Sequence, residues 1–186
     1  MNKSLLIHFS RLLLFLEISY LQNNKTIIFA IMYSKEEHRQ INIDFYTTLG
    51  TLMKDDIPTS GEKVKWTNFK TGIKGIYFKL DADKRSCRLM IEIKNDDEAI
   101  RHLFYEQFEE FKVVLEDQIQ EEGIWFRDFY NDYGEPSSKI EWVLNEGVSK
   151  LKRDTWGDMH TYLRARLIGL DEFWSDVKDI FVELSK

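Results

Sequence analysis

The chain has 186 residues, which is enough for one domain that buries a sizeable core. Hydrophobic residues make up 43% and charged residues 31%, a composition typical of globular proteins that excludes a wholly disordered chain. The formal net charge of −6 argues against broad, non-specific binding to nucleic acid, and the single cysteine, Cys87, excludes an internal disulfide and favours a reducing, cytoplasmic setting.

The N-terminal segment, residues 1–31, is dominated by Leu, Ile and Phe. Its uninterrupted apolar run is far shorter than the roughly 20 residues that a membrane-spanning helix needs. Three interpretations stay open: a helix on a membrane surface, an extra element packed on the domain, and translated upstream sequence before a true start at Met32. The last is favoured, because Ser34 and Glu37 form a capping box just after that methionine. We therefore expect a single domain over residues 32–186, and no membrane contact unless the extension is native.

The first predicted elements after Met32 are a helix, a loop and a weak strand. Apolar residues spaced by three and four positions predict the helix, from Ser34 to about Met53. A loop follows over residues 55–61. Weak alternation from Lys63 to Lys70 predicts a short strand.

A β-hairpin comes next in the prediction. Ile76, Phe78 and Leu80 alternate with polar residues, and so do Leu89, Ile91 and Ile93. Each alternation is typical of a strand with one buried face, and the short polar segment between them predicts an antiparallel pair. A tight turn centred on Asp83 and Lys84 would place Glu92 opposite Gly75.

The second half of the chain predicts a long helix, two strands and a helical C-terminus. The long helix would begin after Asn95 and stop at Gly123. Strands are expected from Ile124 to Tyr130 and from Ile140 to Leu144, and helix from Asp154 onward. The C-terminal apolar stripe could make a homodimer seam, although a helix lying on a sheet is the favoured interpretation. In this helix Gly169 would bend or break the chain, and Asp171 and Glu172 could cap a new helix after it.

The order of elements predicts an α+β domain. We expect a mainly antiparallel sheet of four to five strands, with a long central helix and a helical C-terminus packed on it.

Four blocks of sequence resemble, in order, the bacterial family called domain of unknown function 4268: Phe45–Gly50, Trp66–Lys74, Leu103–Phe108 and Leu170–Lys178. The resemblance extends over about residues 33–181 and brings no assigned activity. Similar domains stand alone or end larger chains, some with nuclease-like N-terminal parts, which implies a loose link to DNA processing or defence. In that family the position of Lys94 is not regularly lysine, so the resemblance carries over no catalytic role.

Glu92 and Lys94 form an acid-x-lysine pair on the third of the predicted strands. Nucleases of the PD-(D/E)xK type use such a pair with an acid from the preceding strand to hold Mg²⁺ and activate water. Asp81 shares the predicted face, but the predicted register separates it from Glu92 by about 20 Å. A Mg²⁺-dependent nuclease using Glu92 and Lys94 is therefore the alternative hypothesis, and a solvated strand face with an ion pair is favoured.

A lysine-rich segment provides the second candidate site, for nucleic acid: Lys63, Lys65, Trp66, Asn68, Lys70 and Lys74. Basic residues beside aromatic rings can hold phosphates while bases stack on the rings. An edge strand protected by lysines would show the same pattern.

The remaining residues predict no metal or cofactor site, because the four histidines lack the spacing of metal ligands. We expect an accessory or interaction module in a DNA-associated or defence system rather than an enzyme. An unidentified protein is its expected partner, and nucleic acid is a candidate ligand.

Overall fold

The computed structural model describes residues 35–61, 64–130 and 134–186. Its elements are α1 (Lys35–Leu52), β1 (Ile76–Ala82), β2 (Cys87–Ile93), α2 (Glu98–Glu110), α3 (Lys112–Ile119), β3 (Ile124–Tyr130), β4 (Pro136–Leu144) and α4 (Trp156–Leu184), with short 3-10 helices at Trp66–Asn68 and Arg153–Thr155. These elements confirm the predicted α+β class. The expectations for residues 1–31 and for the capping serine at position 34 lie outside the described residues.

The chain divides into two units between residues 41 and 42. Of the first unit the structure describes only residues 35–41, the first turns of α1, where the Arg39 guanidinium lies 3.6 Å from the Glu36 carboxylate. The second unit carries the sheet and the sites described below.

Among the described residues, four strands form one antiparallel sheet in the order β1-β2-β4-β3. Ile76, Phe78 and Leu80 lie opposite Ile93, Ile91 and Leu89. The two sets therefore share one face of the hairpin, as the alternation predicts. These pairs place one apolar face of the hairpin against the core. The predicted hairpin and its buried face are therefore confirmed.

The hairpin register differs from the prediction by two residues. Asp81 pairs with Arg88, and Glu92 lies opposite Tyr77 rather than Gly75. The connecting turn is centred one residue later than expected, on Lys84 and Arg85, because the Asp83 N–H donates to the Ser86 carbonyl at 2.9 Å. The Asp83 carboxylate also accepts hydrogen bonds from the backbone N–H groups of Arg85 and Ser86, at 2.6 and 2.9 Å. An Asp side chain stabilises such a turn by accepting a hydrogen bond from the backbone N–H two residues later.

Two predicted elements differ from the structure. The segment expected as a strand from Lys63 to Lys70 contains the 3-10 helix Trp66–Asn68, and burial of Trp66 outweighs the weak alternation. The expected long helix is divided at Phe111 into α2 and α3. The Phe111 ring contacts Phe173 and Phe181 of α4, so tertiary packing overrides local helix propensity there.

The N-terminus of α2 begins two residues later than the predicted cap. The carboxylate of Asp97 accepts hydrogen bonds from the N–H groups of Ala99 and Ile100. Asn95 lies before the helix, where its side-chain oxygen accepts from the Asp97 N–H at 2.9 Å. Asp97 is therefore the N-cap, and its charge faces the positive end of the helix.

The long C-terminal helix α4 packs inside the domain. Its predicted apolar stripe is half-buried at Leu184 and buried at its other members, Leu163, Leu167, Leu170, Trp174, Val177 and Phe181. The Trp174 ring meets Phe78 of β1 edge to face at 5.1 Å and stacks near Phe108 of α2 at 6.4 Å. The helix continues through Gly169 without a break. The stripe thus serves the protein core, and the predicted new helix after Gly169 does not form.

Candidate functional site

The acid-x-lysine pair lies on the polar face of the sheet, at the end of β2. Glu92 stands between Tyr77 of β1 and Lys139 of β4. Its side chain is only 12% exposed. The ammonium group of Lys79 contacts one carboxylate oxygen, and that of Lys94 lies 3.8 Å from the other. Two lysines therefore neutralise the carboxylate proposed as a metal ligand.

A second carboxylate, Glu141 of β4, shares this face with Glu92. Glu92 lies opposite Lys139, which is two residues from Glu141 in β4. The two acids are therefore diagonal neighbours on adjacent strands, and backbone atoms in such pairs are about 7–8 Å apart. The Lys139 ammonium lies 3.1 Å from the Glu141 carboxylate and 4.1 Å from the centre of the Phe129 ring. Cation–π contact holds this lysine in place, so Glu141 is neutralised too. Lys139 falls one residue before the predicted strand, which is why the sequence did not reveal it.

Asp81, the other predicted acid, does not lie near Glu92. It lies four positions along β1 from Tyr77, the residue opposite Glu92, which is about 13 Å at about 3.3 Å per residue. The Arg88 guanidinium lies 3.4 Å from its carboxylate. In the part of the chain that the structure describes, no group of three His, Cys, Asp or Glu residues is arranged to hold a metal ion.

The structure separates the residues of the lysine-rich segment. Lys65 lines a groove of about 720 Å³ beside α1. Trp66 is buried, and its ring packs 6.4 Å from that of Phe69. Lys63 lies outside the described residues. Trp66 lines the same groove as Lys65. Asn68, Lys70 and Lys74 line a different groove, which runs along β1 and has a volume of about 420 Å³.

The loop that carries Lys70 and Lys74 is held by α4. The indole N–H of Trp174 donates to the carbonyl of Thr71 at 3.2 Å. The hydroxyl of Thr71 donates to the carbonyl of Ile76 at 2.8 Å and ties the loop to β1. Both contacts are buried, so the two lysines stand on a fixed support.

A third lysine, Lys178 of α4, joins this loop. A Cβ placed on Gly72 would lie 3.4 Å from both the Cε and the Nζ atoms of Lys178, so the lysine lies against the loop. We call Lys70, Lys74 and Lys178 the lysine surface. Within the described ranges, none of the three forms an ion pair. The sequence reasoning missed Lys178, although its position one turn after Trp174 on the same helix was a usable signal.

Several titratable groups of the domain lie in the core, where burial shifts their pKa values. Burial raises the pKa of the Cys87 thiol to about 12, so this cysteine is an inert core residue. Burial also raises the pKa of Tyr46 to about 12, and its hydroxyl donates to the carbonyl of Leu80 at 3.4 Å. Burial lowers the pKa of His160, whose Nε2 atom lies 3.1 Å from the carbonyl oxygen of Phe45. His160 is therefore neutral near pH 7 and donates to that carbonyl.

Comparison with curated proteins and with solved structures gave no significant match. None of the helices in the described ranges is long and apolar enough to cross a membrane. A family model described as Domain of unknown function (DUF4268) matches residues 41–178, which is more than half of the chain. The match includes the blocks that carry the resemblance in the sequence, and the chain therefore belongs to the Domain of unknown function (DUF4268) family.

Proposed function

We propose that this domain is a non-catalytic cytoplasmic module that binds nucleic acid through the lysine surface, as an accessory to a protein partner. The observation that carries the proposal is the position of Lys178 against the loop of Lys70 and Lys74. Lys178 brings a third lysine to the loop that carries Lys70 and Lys74. Ammonium groups attract phosphates, which supply most of the affinity in sequence-independent nucleic-acid binding.

The ion pairs elsewhere in the domain strengthen this argument. Many of its other cations have an acidic partner, for example Arg164 with Asp56 and Arg166 with Glu121. The chain as a whole is acidic, with a formal charge of −6. A polyanion is therefore repelled by most of the molecule and attracted to a restricted region, which favours one docking position.

The polar face of the sheet supports a role without catalysis. To bind a divalent metal, Glu92 would have to release Lys79 and Lys94, and Glu141 would have to release Lys139. The three side chains Glu92, Lys139 and Glu141 are each nearly buried, so separating these charges carries a large desolvation cost. The pair of Lys79 with Glu92 joins β1 to β2, and the contact of Lys139 with the Phe129 ring joins β4 to β3, so both suit a role in stabilising the sheet.

The test of the proposed function is a binding experiment with the full chain and a labelled oligonucleotide. Fluorescence anisotropy measures the affinity at two salt concentrations. The triple variant Lys70→Ala, Lys74→Ala and Lys178→Ala should lose at least about tenfold in affinity and show a shallower dependence on salt, because each lost phosphate contact lowers the salt slope by roughly 0.7 to 0.9.

A matched control removes three cations at the other end of the hairpin: Lys84→Ala, Arg85→Ala and Lys152→Ala. These residues are exposed and form no ion pair within the described ranges. The control should bind within about twofold of the unmodified chain, since only general charge has changed. Absence of binding by the unmodified chain, or an equal loss in both triple variants, would reject the lysine surface as the binding site.

The second candidate function is a Mg²⁺-dependent nuclease that uses Glu92 and Lys94. One observation favours it, namely that Glu141 faces the same side of the adjacent strand. The chain would be incubated with DNA and with RNA in Mg²⁺ or Mn²⁺, beside Glu92→Ala and Lys94→Ala. We expect no metal-dependent cleavage. Cleavage that disappears in both variants would establish the nuclease and overturn the non-catalytic proposal.

A further inference from the structure

We propose that the ligand is a single-stranded nucleic acid, with one base stacked on Tyr77 in a groove at the start of β1. This inference rests on the proposed function, since it names the ligand of the lysine surface and adds a ring that the lysines alone do not supply.

Two grooves meet at Tyr77. The first has a volume of about 420 Å³ and runs along residues 68–79. The second, of about 660 Å³, passes the end of β2 and the start of α2 and reaches residues 184–186. Both are lined by Gly72, Ile73, Lys74 and Tyr77. The four shared residues make the two grooves neighbours on either side of Tyr77, and we call the pair the path.

Tyr77 offers the aromatic ring that this path requires. Its side chain is on the polar face of the sheet and is 44% exposed. The ammonium group of Lys79 lies 6.0 Å from the centre of the ring. Among the neighbouring rings, Trp66 is buried and Phe69 packs 5.4 Å from Phe78. Tyr77 is therefore the ring in this region that is free to stack on a base.

Positive charge lines the path on both sides of Tyr77. Lys70 and Lys74 line the first groove beside Lys79, whose ammonium group is paired with Glu92, and the described lining of this groove includes no acidic residue. The second groove adds Lys94 and Lys186 and also two acids, Asp96 and Glu135. The Lys94 ammonium lies 3.4 Å from the Glu135 carboxylate, so the excess of positive charge is in the first groove.

Base stacking on Tyr77 selects single strands over duplexes. In a duplex the bases are paired and stacked on each other, so no base face can reach a ring inside a groove. A single strand can turn one base onto the ring while its phosphates contact lysines on either side. An acidic peptide would satisfy the lysines and gain nothing from the ring.

The test measures, by fluorescence anisotropy, the binding of three labelled ligands to the full chain. They are an oligothymidylate of about 12 nucleotides, a duplex of the same length, and polyglutamate. A single-strand-binding site typically covers about 4–16 nucleotides, so this length suffices. The oligothymidylate should bind at least fivefold more tightly than either of the others. Tyr77→Ala should weaken its binding by about fivefold or more, because one stacked base contributes roughly that factor. Tyr77→Phe keeps the ring and should bind like the unmodified chain.

Tyr77→Leu keeps apolar bulk without a ring, so the contrast between Leu and Phe at this position decides the question even where Tyr77→Ala lowers stability. A single strand bound through the lysine surface but unaffected by Tyr77→Leu, or a duplex or polyglutamate bound as tightly, would overturn this inference and leave nucleic-acid or anion binding by the lysines standing. Failure of the unmodified chain to bind any of the nucleic acids would overturn the proposed function itself.

Discussion

Gly169 of α4 lies so close to the backbone carbonyl of Gln118 in α3 that a Cβ on the glycine would stand 2.1 Å from the carbonyl oxygen. No side chain fits in that space, so the close approach of these two helices depends on a glycine. The contact also explains why a glycine occurs in the middle of a 29-residue helix that shows no break.

Gly169→Ala should therefore destabilise the domain. The backbone of α3 would have to move away, and overpacking of this kind typically costs about 1–3 kcal/mol or more. The free energy of unfolding, measured by urea denaturation, reports the loss. Gly157→Ala is the matched control in the same helix, because a Cβ there meets no atom within 4 Å. It should leave stability unchanged or raise it by up to about 1 kcal/mol. Equal effects of the two substitutions would show that the helices do not meet at Gly169.

Asp171→Ala should also destabilise the domain. The Asp171 carboxylate is buried and accepts a hydrogen bond from the backbone N–H of Thr59 at 2.7 Å, which fixes the loop after α1 to α4. Loss of a hydrogen bond to a charged group costs about 1.5–3 kcal/mol. The exposed neighbour Glu172 is the control, and Glu172→Ala should stay within about 0.5 kcal/mol. A comparable loss in both variants would argue against the contact with Thr59.

His160 should make the domain less stable in mild acid. Burial lowers its pKa in the folded state, whereas the unfolded chain keeps a value of about 6.5. Below about pH 6.5 the unfolded state binds more protons than the folded state. The free energy of unfolding therefore decreases as the pH is lowered, until the pH is below the lowered pKa of the folded state. Above pH 6.5 the contribution of His160 is constant.

The measurement is urea denaturation of the unmodified chain and of His160→Gln between pH 7.5 and pH 5. The difference between the two should shrink as pH falls, because glutamine has no charge to acquire. His38→Gln, on the exposed surface of α1, is the comparison. A difference that is constant over this pH range would contradict the assignment of a neutral, buried His160.

The Cys87 thiol should be unreactive in the native protein. It is fully buried and its pKa is raised to about 12, so the thiolate is nearly absent at pH 8. Ellman's reagent should label the chain at the rate of global unfolding, and addition of denaturant should give complete labelling. Fast labelling without denaturant would place the thiol at the surface and reopen the question of its reactivity.

The hairpin of β1 and β2 combines a confirmed prediction, its buried face, with a wrong one, its register. Alternation in the sequence identified β1, β2 and their buried face, because a period of two residues is a local property. The predicted register was wrong by two residues, because hydrogen bonds of Asp83 with Arg85 and Ser86 centre the turn one residue later than expected. The separation of Asp81 from Glu92 was predicted all the same, since both registers leave several residues between them.

The candidate sites depended on contacts between distant parts of the chain. The sequence by itself determined the family, the antiparallel hairpin and the apolar stripe of α4, since these follow from local pattern. Only the tertiary structure decided that Glu92 pairs with Lys79 of the neighbouring strand β1. It also decided that Trp174 holds the loop of Thr71, 103 residues away, beside Lys178. Such pairings arise when buried polar groups find partners in a closely packed core, and no periodicity along one segment encodes them.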